Sequence, residues 1–397
     1  MPNLHTDKDC CGCSACASVC QHNAITMVPD SLGFKYPEIN PSLCVDCKLC
    51  EKVCSFNNDY KTPQNFSQPI PYGVRMKDIE EVMKSRSGGA FVAFSDFILD
   101  KGGIIYGAGF KDHLVVAHKR AITKEERDEF RGSKYVQSDL DGIFRQVKDD
   151  LSNGFWVMFS GTACQVSGLQ SFLPDKLKPK LITVDIVCHG VPAPKIWEDY
   201  LKYVEEKEKM DVVSVDFRDK KNFGWKAHKE SLTLQNPKTG EEKTISTDIF
   251  TFLFYQHIML RPSCAECKYC NARRPADLTL ADFWGWEKTG SCINDDNKGL
   301  SLVLVNTPAG KKIFENVKHR FDIINPKLED CVQPNLKSPT KPDIRYKNFQ
   351  SDYENKGFQY ILQKYGNVST SYKIKNIASR LKRRFLKVIK KMSNPSN

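Results

Sequence analysis

Cysteine spacing constrains this chain more than any other feature. Cys10, Cys13, Cys16 and Cys20 form one C-x2-C-x2-C-x3-C run, and Cys44, Cys47, Cys50 and Cys54 form a second. In that spacing three close thiolates hold one 4Fe–4S cube and the fourth reaches across to another. The pairing expected is therefore crossed: one cube takes Cys10, Cys13, Cys16 and Cys54, the other Cys44, Cys47, Cys50 and Cys20. Zinc also accepts four thiolates, but it favours two separated pairs over even triplets each followed by x3-C. Two details depart from the pattern. The proline that commonly follows the fourth cysteine is replaced by Gln21 and Ser55, and Cys11 is an extra thiol without a role in the spacing.

A first module of about 60 residues buries too little apolar surface to fold unaided, so its clusters must act as its core. The chain has 397 residues, enough for two or three domains. Its sixteen cysteines sit mostly in metal spacing and no leader is read ahead of Cys10, which fits a reducing cytoplasm better than a disulfide framework. There is no apolar run of about 18 residues to cross a membrane. The net charge of +11 is uneven, because Ile361 to Asn397 carries ten Lys or Arg and no Asp or Glu, leaving about +1 for the rest.

Residues 57–71 are polar, carry three prolines and read as a linker after the ferredoxin-type module. Beyond them, short apolar runs alternate with amphipathic stretches. Residues 103–107 and 114–117 read as paired strands. Residues 155–159 read as a buried strand that runs into a helix over 166–172, and 181–187 as another that leads to a helix over 195–207. Successive strand-loop-helix units predict an α/β core behind the small two-cluster domain. Three loops before helices are glycine-bearing: Ser87-Gly88-Gly89, Ser160-Gly161-Thr162 and His189-Gly190. Backbone amides at such helix starts can seat a phosphate or diphosphate, although glycine there is more often turn chemistry alone. A flavin nucleotide is the natural occupant beside one-electron clusters, since most organic reductions need a converter to two electrons.

Cys264, Cys267 and Cys270 repeat the triplet spacing far from the first module. Three thiolates leave a cube one ligand short, which Cys188 supplies in the first reading and Cys164 in the second. Zinc with His189 or His257 is the other reading. Cys292 and Cys331 stand alone and read as inert. His189 is the best candidate for a proton donor, since imidazole titrates near neutrality, with Lys134 and Arg218 as further candidates and Arg218 and Lys220 able to hold an anion. The bland role for His189, a hydrogen bond within its loop, is equally compatible.

The segments SRSGGAF (85–91), RGSKYVQS (131–138), GTACQV (161–166), CHGVP (188–192) and FRDK (217–220), with the stretch from Cys264 through ADLTLADFWG, resemble the coenzyme F420 hydrogenase/dehydrogenase beta-subunit family. The resemblance covers residues 1 to about 345. It implies FAD beside a third 4Fe–4S cluster held by Cys264, Cys267 and Cys270 with Cys188. It also implies FAD contacts at Ser87, Gly88, Gly89, Lys134, Tyr135, Gly161, Thr162 and Gln165. Members of this family exchange electrons with F420 or with ferredoxin. Ala163 stands where the family usually has proline.

Ile374, Ile377, Leu381, Phe385, Val388 and Met392 recur at helical spacing among the tail cations. Such a helix suits the surface of an anionic membrane, the inner face in this setting; a solvated helix packed on the core is the alternative. Aromatic interleaving for nucleic acid is absent apart from Phe385. The sequence thus predicts a ferredoxin domain over 1–60, an α/β domain holding FAD and one 4Fe–4S cluster over 72–345, and a basic tail over 346–397. The expected function is FAD-dependent iron–sulfur oxidoreduction, with an electron-transfer subunit lacking its own substrate as the alternative. Expected partners are an electron-carrying protein or reduced cofactor of the ferredoxin or F420 kind.

Overall fold

A computed structural model describes residues 2–5, 9–57, 62, 64–368 and 372. Thirteen strands are found among them: β1 (Ile25–Pro29), β2 (Lys35–Ile39), β3 (Ile70–Met76), β4 (Ile104–Lys111), β5 (Val115–Ala121), β6 (Val157–Thr162), β7 (Leu181–Ile186), β8 (Asp211–Asp216), β9 (Glu230–Gln235), β10 (Glu242–Thr247), β11 (Leu278–Asp282), β12 (Ser301–Val305) and β13 (Phe321–Ile324). Eight build one mixed sheet in the order β13-β3-β12-β11-β7-β6-β4-β5. Its centre is parallel: β4 with β6, β6 with β7 and β7 with β11. Antiparallel strands extend it on both sides. The central strands are largely buried, as strands covered by helices must be; antiparallel β12, Ser-Leu-Val-Leu-Val, is wholly buried. The fold is thus a small two-cluster module followed by an α/β domain, as the residue pattern predicts.

The parallel centre decides where function can gather. β6 and β7 run side by side, pairing Gly161 with Asp185 and Thr162 with Ile186. Each therefore releases its next residues at the same sheet end, Ala163-Cys164 after β6 and Val187-Cys188-His189 after β7. Ligands in α/β folds gather outside that carboxyl edge. The helix Ala163–Phe172 starts there, with the Thr162 N–H donating to Gln165 Oε1 at 2.9 Å in a capping box.

The N-terminal module does not stand apart. Ala15 and Val53 share a buried cluster with Phe144, Val166 and Leu169, while Leu32 and Phe34 pack with Trp197 and Tyr200 of the helix Pro194–Glu208. Arg145 donates to the carbonyls of Ala17, Ser18 and Cys20, closing the C-terminal end of the short helix Ala15–Val19. The boundary expected at 345 does not separate a tail from the core. The helix Tyr346–Lys364 buries Phe349, Tyr353, Ile361 and Leu362 in the cluster that holds Trp197, and Lys364 donates to Asp352 at 2.6 Å. Its apolar positions require that packing. The amphipathic pattern from Ile374 to Met392 lies outside the described residues. Among those residues, no helix is long and apolar enough to cross a membrane.

Candidate functional site: two thiol-lined cavities and a charged loop cluster

Cys10, Cys13, Cys16 and Cys54 line one cavity, together with Ala15, Met27 and Pro37. The crossing expected from the spacing thus brings the second run's last cysteine to the first run's triplet. Burial, with Cys13, Cys10 and Cys54 adding to it in that order, pushes the Cys16 thiol far up. Local geometry serves the seat: Ser14 adopts φ 62 before the helix Ala15–Val19, and the Gly12 N–H points to Cys10 Sγ at 3.4 Å. In the second run Cys50 is raised chiefly by burial and also feels Cys47, while Cys20 Sγ accepts from the Ala24 N–H at 3.3 Å. Cys47 is exposed.

A larger cavity opens at the carboxyl edge of β6 and β7, its walls enclosing about 560 Å3 with the solvent at its mouth. Cys188, Cys264, Cys267 and Cys270 all line it, and so do Cys164 and Cys11. Burial raises Cys188 well above the ordinary thiol range, with Cys264, Cys164 and Cys267 adding to the effect. Burial likewise pushes Cys264 to about 12. Both fourth-ligand candidates are therefore at the triplet. They differ in their contacts: Cys164 Sγ lies 3.1 Å from Thr162 Oγ1 and meets Cys11, whereas Cys188 follows β7 directly and its Sγ receives the Gly190 N–H at 3.4 Å. Among the described residues no three His, Cys, Asp or Glu side chains are drawn together tightly enough to hold a single metal ion.

Cys11 and Phe56 line both cavities, so the two seats share a wall. The Cys11 thiol, without a role in the spacing, is held protonated by its contacts with the sulfurs of Cys13 and then Cys164, with burial behind them. Cys331 is buried in an apolar cluster near Trp286 and Leu336, and Cys292 is exposed.

His189 stands at the rim of the larger cavity. Its Nδ1 lies 3.3 Å from Asn335 Oδ1 and its Nε2 2.8 Å from His257 Nε2. Asn335 Nδ2 donates to Thr340 Oγ1, so its oxygen faces the ring. His189 and His257 therefore share one hydrogen bond between their Nε2 atoms, in which one ring donates and the other accepts. Burial and then His257 lower its titration below the ordinary imidazole range.

Of the loops expected to meet a flavin, Thr162, His189 and Gly190 line the thiol cavity, while the segments around Ser87 and Lys134 meet residues 216–220 in a separate patch. Arg86 pairs with Asp216, Lys220 donates to the carbonyls of Val82 and Ser87, and Arg218 pairs with Asp282. Lys134 donates to the carbonyls of Glu129 and Arg131 and feels Glu129, Arg86, Asp216 and Lys119. Burial brings both Lys134 and Lys220 down to about 7. Arg218, 4% exposed, keeps its Nε without a hydrogen-bond partner among the described residues. Tyr135 stacks on Phe254 at 5.2 Å, and His189 meets the same Phe254 edge-on at 5.2 Å, which joins this patch to the cavity rim. His118, beside Gly161, feels the Lys134 charge.

Two of the expected flavin contacts are occupied inside the fold. The Gly88 N–H donates to Ser301 Oγ, its carbonyl accepts from Met76, and a Cβ there would lie 2.2 Å from the Val74 carbonyl oxygen. Gln165 is spent on the Thr162 cap and on Ser138 Oγ at 3.0 Å. Their physical role is close packing and capping. Sequence reasoning overlooked Cys11, Phe56 and Arg261 as walls; the only signals were the doubled cysteine and an arginine three residues before a triplet.

Fold and thiols together define an iron–sulfur protein with an α/β domain. Residues 155–329 match the C-terminal part of the coenzyme F420 hydrogenase/dehydrogenase beta-subunit family, and residues 9–58 match a 4Fe–4S dicluster domain. Both matches lie along this one chain, the dicluster match first. It is 36% identical over 62 residues to an uncharacterized polyferredoxin-like protein of Methanocaldococcus jannaschii, covering 14% of this chain and 37% of that relative's length. A chain of the F420-reducing [NiFe] hydrogenase complex from Methanosarcina barkeri aligns at TM-score 0.45 and 18% identity over 74% of this chain and 95% of that one.

Proposed function

We propose that the protein is an iron–sulfur flavoprotein oxidoreductase that carries electrons among three cluster seats and FAD, and so reduces or oxidises a small organic molecule or a deazaflavin. The shared wall of Cys11 and Phe56 carries this reading, because it sets the Cys10/Cys13/Cys16/Cys54 seat directly beside a second thiol-rich cavity. In that cavity Cys188, Cys264, Cys267 and Cys270 would hold a third cube, with Cys164 in reserve. Thiols spread round a cavity, with no three drawn to single-ion distance among the described residues, suit a cube better than zinc.

The donor set fits a flavin nucleotide in part. Arg86, Lys134, Lys220 and Arg218 gather there among Asp216, Asp219, Asp282 and Glu129, and Arg218 Nε, unpartnered among the described residues, is a buried donor of the kind an anion satisfies. With Gly88 and Gln165 occupied, Gly89, Lys134, Tyr135, Gly161 and Thr162 remain as contacts, and Ser87 through its backbone. When bound, the cubes would supply single-electron transfer and the flavin exchange between one and two electrons.

The chain's own residues handle protons and charge. Neutral His189 shares an Nε2-to-Nε2 hydrogen bond with His257, which makes the pair a route for a proton at the cavity rim rather than a standing imidazolium. Lys134, titrating near 7, can hold or release a proton at Nζ. A second reading, an electron-transfer subunit docked to a partner enzyme, draws on Leu43, Val45 and Leu49, which are exposed around Cys47.

Iron, sulfide and released flavin measured on anaerobically purified protein test the proposal. About twelve irons and one FAD per chain are expected. Zinc without flavin overturns the oxidoreductase reading.

A further inference from the structure

Four arginines are almost wholly buried, and three of them face a carboxylate. Arg127 pairs with Asp96 at 2.7 Å, Arg274 with Asp185 at 3.1 Å, and Arg218 with Asp282. Arg261, 1% exposed, is different: among the described residues no carboxylate lies within ion-pair distance of it. Its Nε donates to the Cys10 carbonyl at 2.7 Å, its Nη1 to Gln137 Oε1 at 2.9 Å and its Nη2 to the Lys35 carbonyl at 2.9 Å. Tyr36 lies under the guanidinium at 4.3 Å and Phe34 at 5.4 Å. Asp30 feels the charge only from beyond, its own carboxylate taken up by the N–H groups of Leu32 and Phe34.

Burying an unpaired guanidinium is costly unless something anionic compensates it. The surroundings name the compensating groups. Arg261 lines the larger cavity, and its charge is felt by Cys10 and Cys13 on one side and by Cys164 and Cys264 on the other. The chain is shaped to admit it: at Gly12, with φ +69, a Cβ would stand 2.9 Å from both Arg261 Nη1 and Gln137 Nε2. A cube held by four thiolates is an anion, and it becomes more negative on reduction. Net charge and hydrogen bonding at a cluster set its potential.

We infer that Arg261 is the shared counter-ion of two cluster seats, the one that includes Cys10 and the one that includes Cys264, and that it raises the reduction potential of both. The inference rests on the proposed third seat. The step concerned is a one-electron reduction, by dithionite in the titration, in which no bond forms or breaks and the negative charge of the seat grows by one. Arg261 thereby makes those two seats better electron acceptors than the Cys44/Cys47/Cys50/Cys20 seat, for which no Arg261 contact is found among the described residues.

Redox titration of the full chain followed by electron paramagnetic resonance tests this, with iron content measured on the same samples. Arg261→Gln is expected to shift two of the three cluster potentials downward and leave one unmoved, while Arg261→Lys, which keeps the charge, stays nearer the wild type. Gln137→Glu leaves Arg261 in place but sets a carboxylate against Nη1, so it is expected to shift the same two potentials downward even if Arg261→Gln does not fold. Unchanged potentials in Arg261→Gln, or in Gln137→Glu where only that variant folds, overturn the inference. So does an equal shift of all three clusters, or an Arg261→Lys shift as large as that of Arg261→Gln. Wild-type protein with only two cubes defeats the third seat instead, and the Cys10 seat then still reports on Arg261.

Discussion

Gly168 stands so close to Cys13 that a β-carbon at position 168 would lie 2.7 Å from the Cys13 sulfur. A helix-interior glycine normally costs about 1 kcal/mol relative to alanine, so its presence in the helix Ala163–Phe172 needs a reason, and the approach of a cluster ligand supplies one. Gly168→Ala is therefore expected to lose about 1–3 kcal/mol by overpacking despite its better helix propensity, and to lose about four irons per chain. Chemical denaturation and iron analysis check this; a stabilised variant with full iron would show that the contact yields.

The cationic patch makes a pH prediction. Lys134 and Lys220 titrate at about 7 in the folded chain, below the ordinary lysine value of 10.5. Between those limits the unfolded chain binds more protons, so these lysines make stability rise with pH from about 7 toward the ordinary lysine range. Flavin-free protein followed by denaturation from pH 6.5 upward should show that rise, and Lys134→Met should flatten it. Binding of an anionic nucleotide favours the charged lysines, so it should take up protons at pH 8, seen as buffer-dependent heats in calorimetry. Proton release on binding would contradict the placement.

Arg274 and Asp185 form a buried pair beside the larger cavity, with Arg274 Nη2 also donating to the Ile186 carbonyl at 3.0 Å. Removing the cation alone leaves an uncompensated carboxylate, so Arg274→Met should cost about 3–5 kcal/mol. Adding Asp185→Asn should recover part of that loss, which a double-mutant cycle in denaturant measures. A double-variant loss equal to the sum of the two single losses would mean that the pair does not interact.

Much of this was legible in the sequence. Cysteine spacing carried the first module, and the apolar runs at 155–159 and 181–187 became β6 and β7, each followed by the expected helix. Local pattern reads elements well because periodicity is local. It could not show that Leu32 and Phe34 pack on the helix Pro194–Glu208, or that Arg261 reaches a carbonyl 251 residues away. Nor could it show that the helix from Tyr346 belongs to the core, since the apolar stripe of Phe349, Ile361 and Leu362 does not name the surface it packs on. Gly88 and Gln165 resembled ligand contacts for a related reason: glycine and a capping amide serve packing and binding alike, and only the neighbours decide.

The central claim is that Cys188, Cys264, Cys267 and Cys270 seat a cube of their own next to the Cys10 seat. Iron and sulfide counts on anaerobically purified wild type, Cys188→Ala, Cys164→Ala and a Cys264→Ala/Cys267→Ala double variant test it most directly. The account predicts about twelve irons in wild type and Cys164→Ala and about eight in the other two. The same iron content in all four proteins, or loss in Cys164→Ala but not in Cys188→Ala, would contradict it.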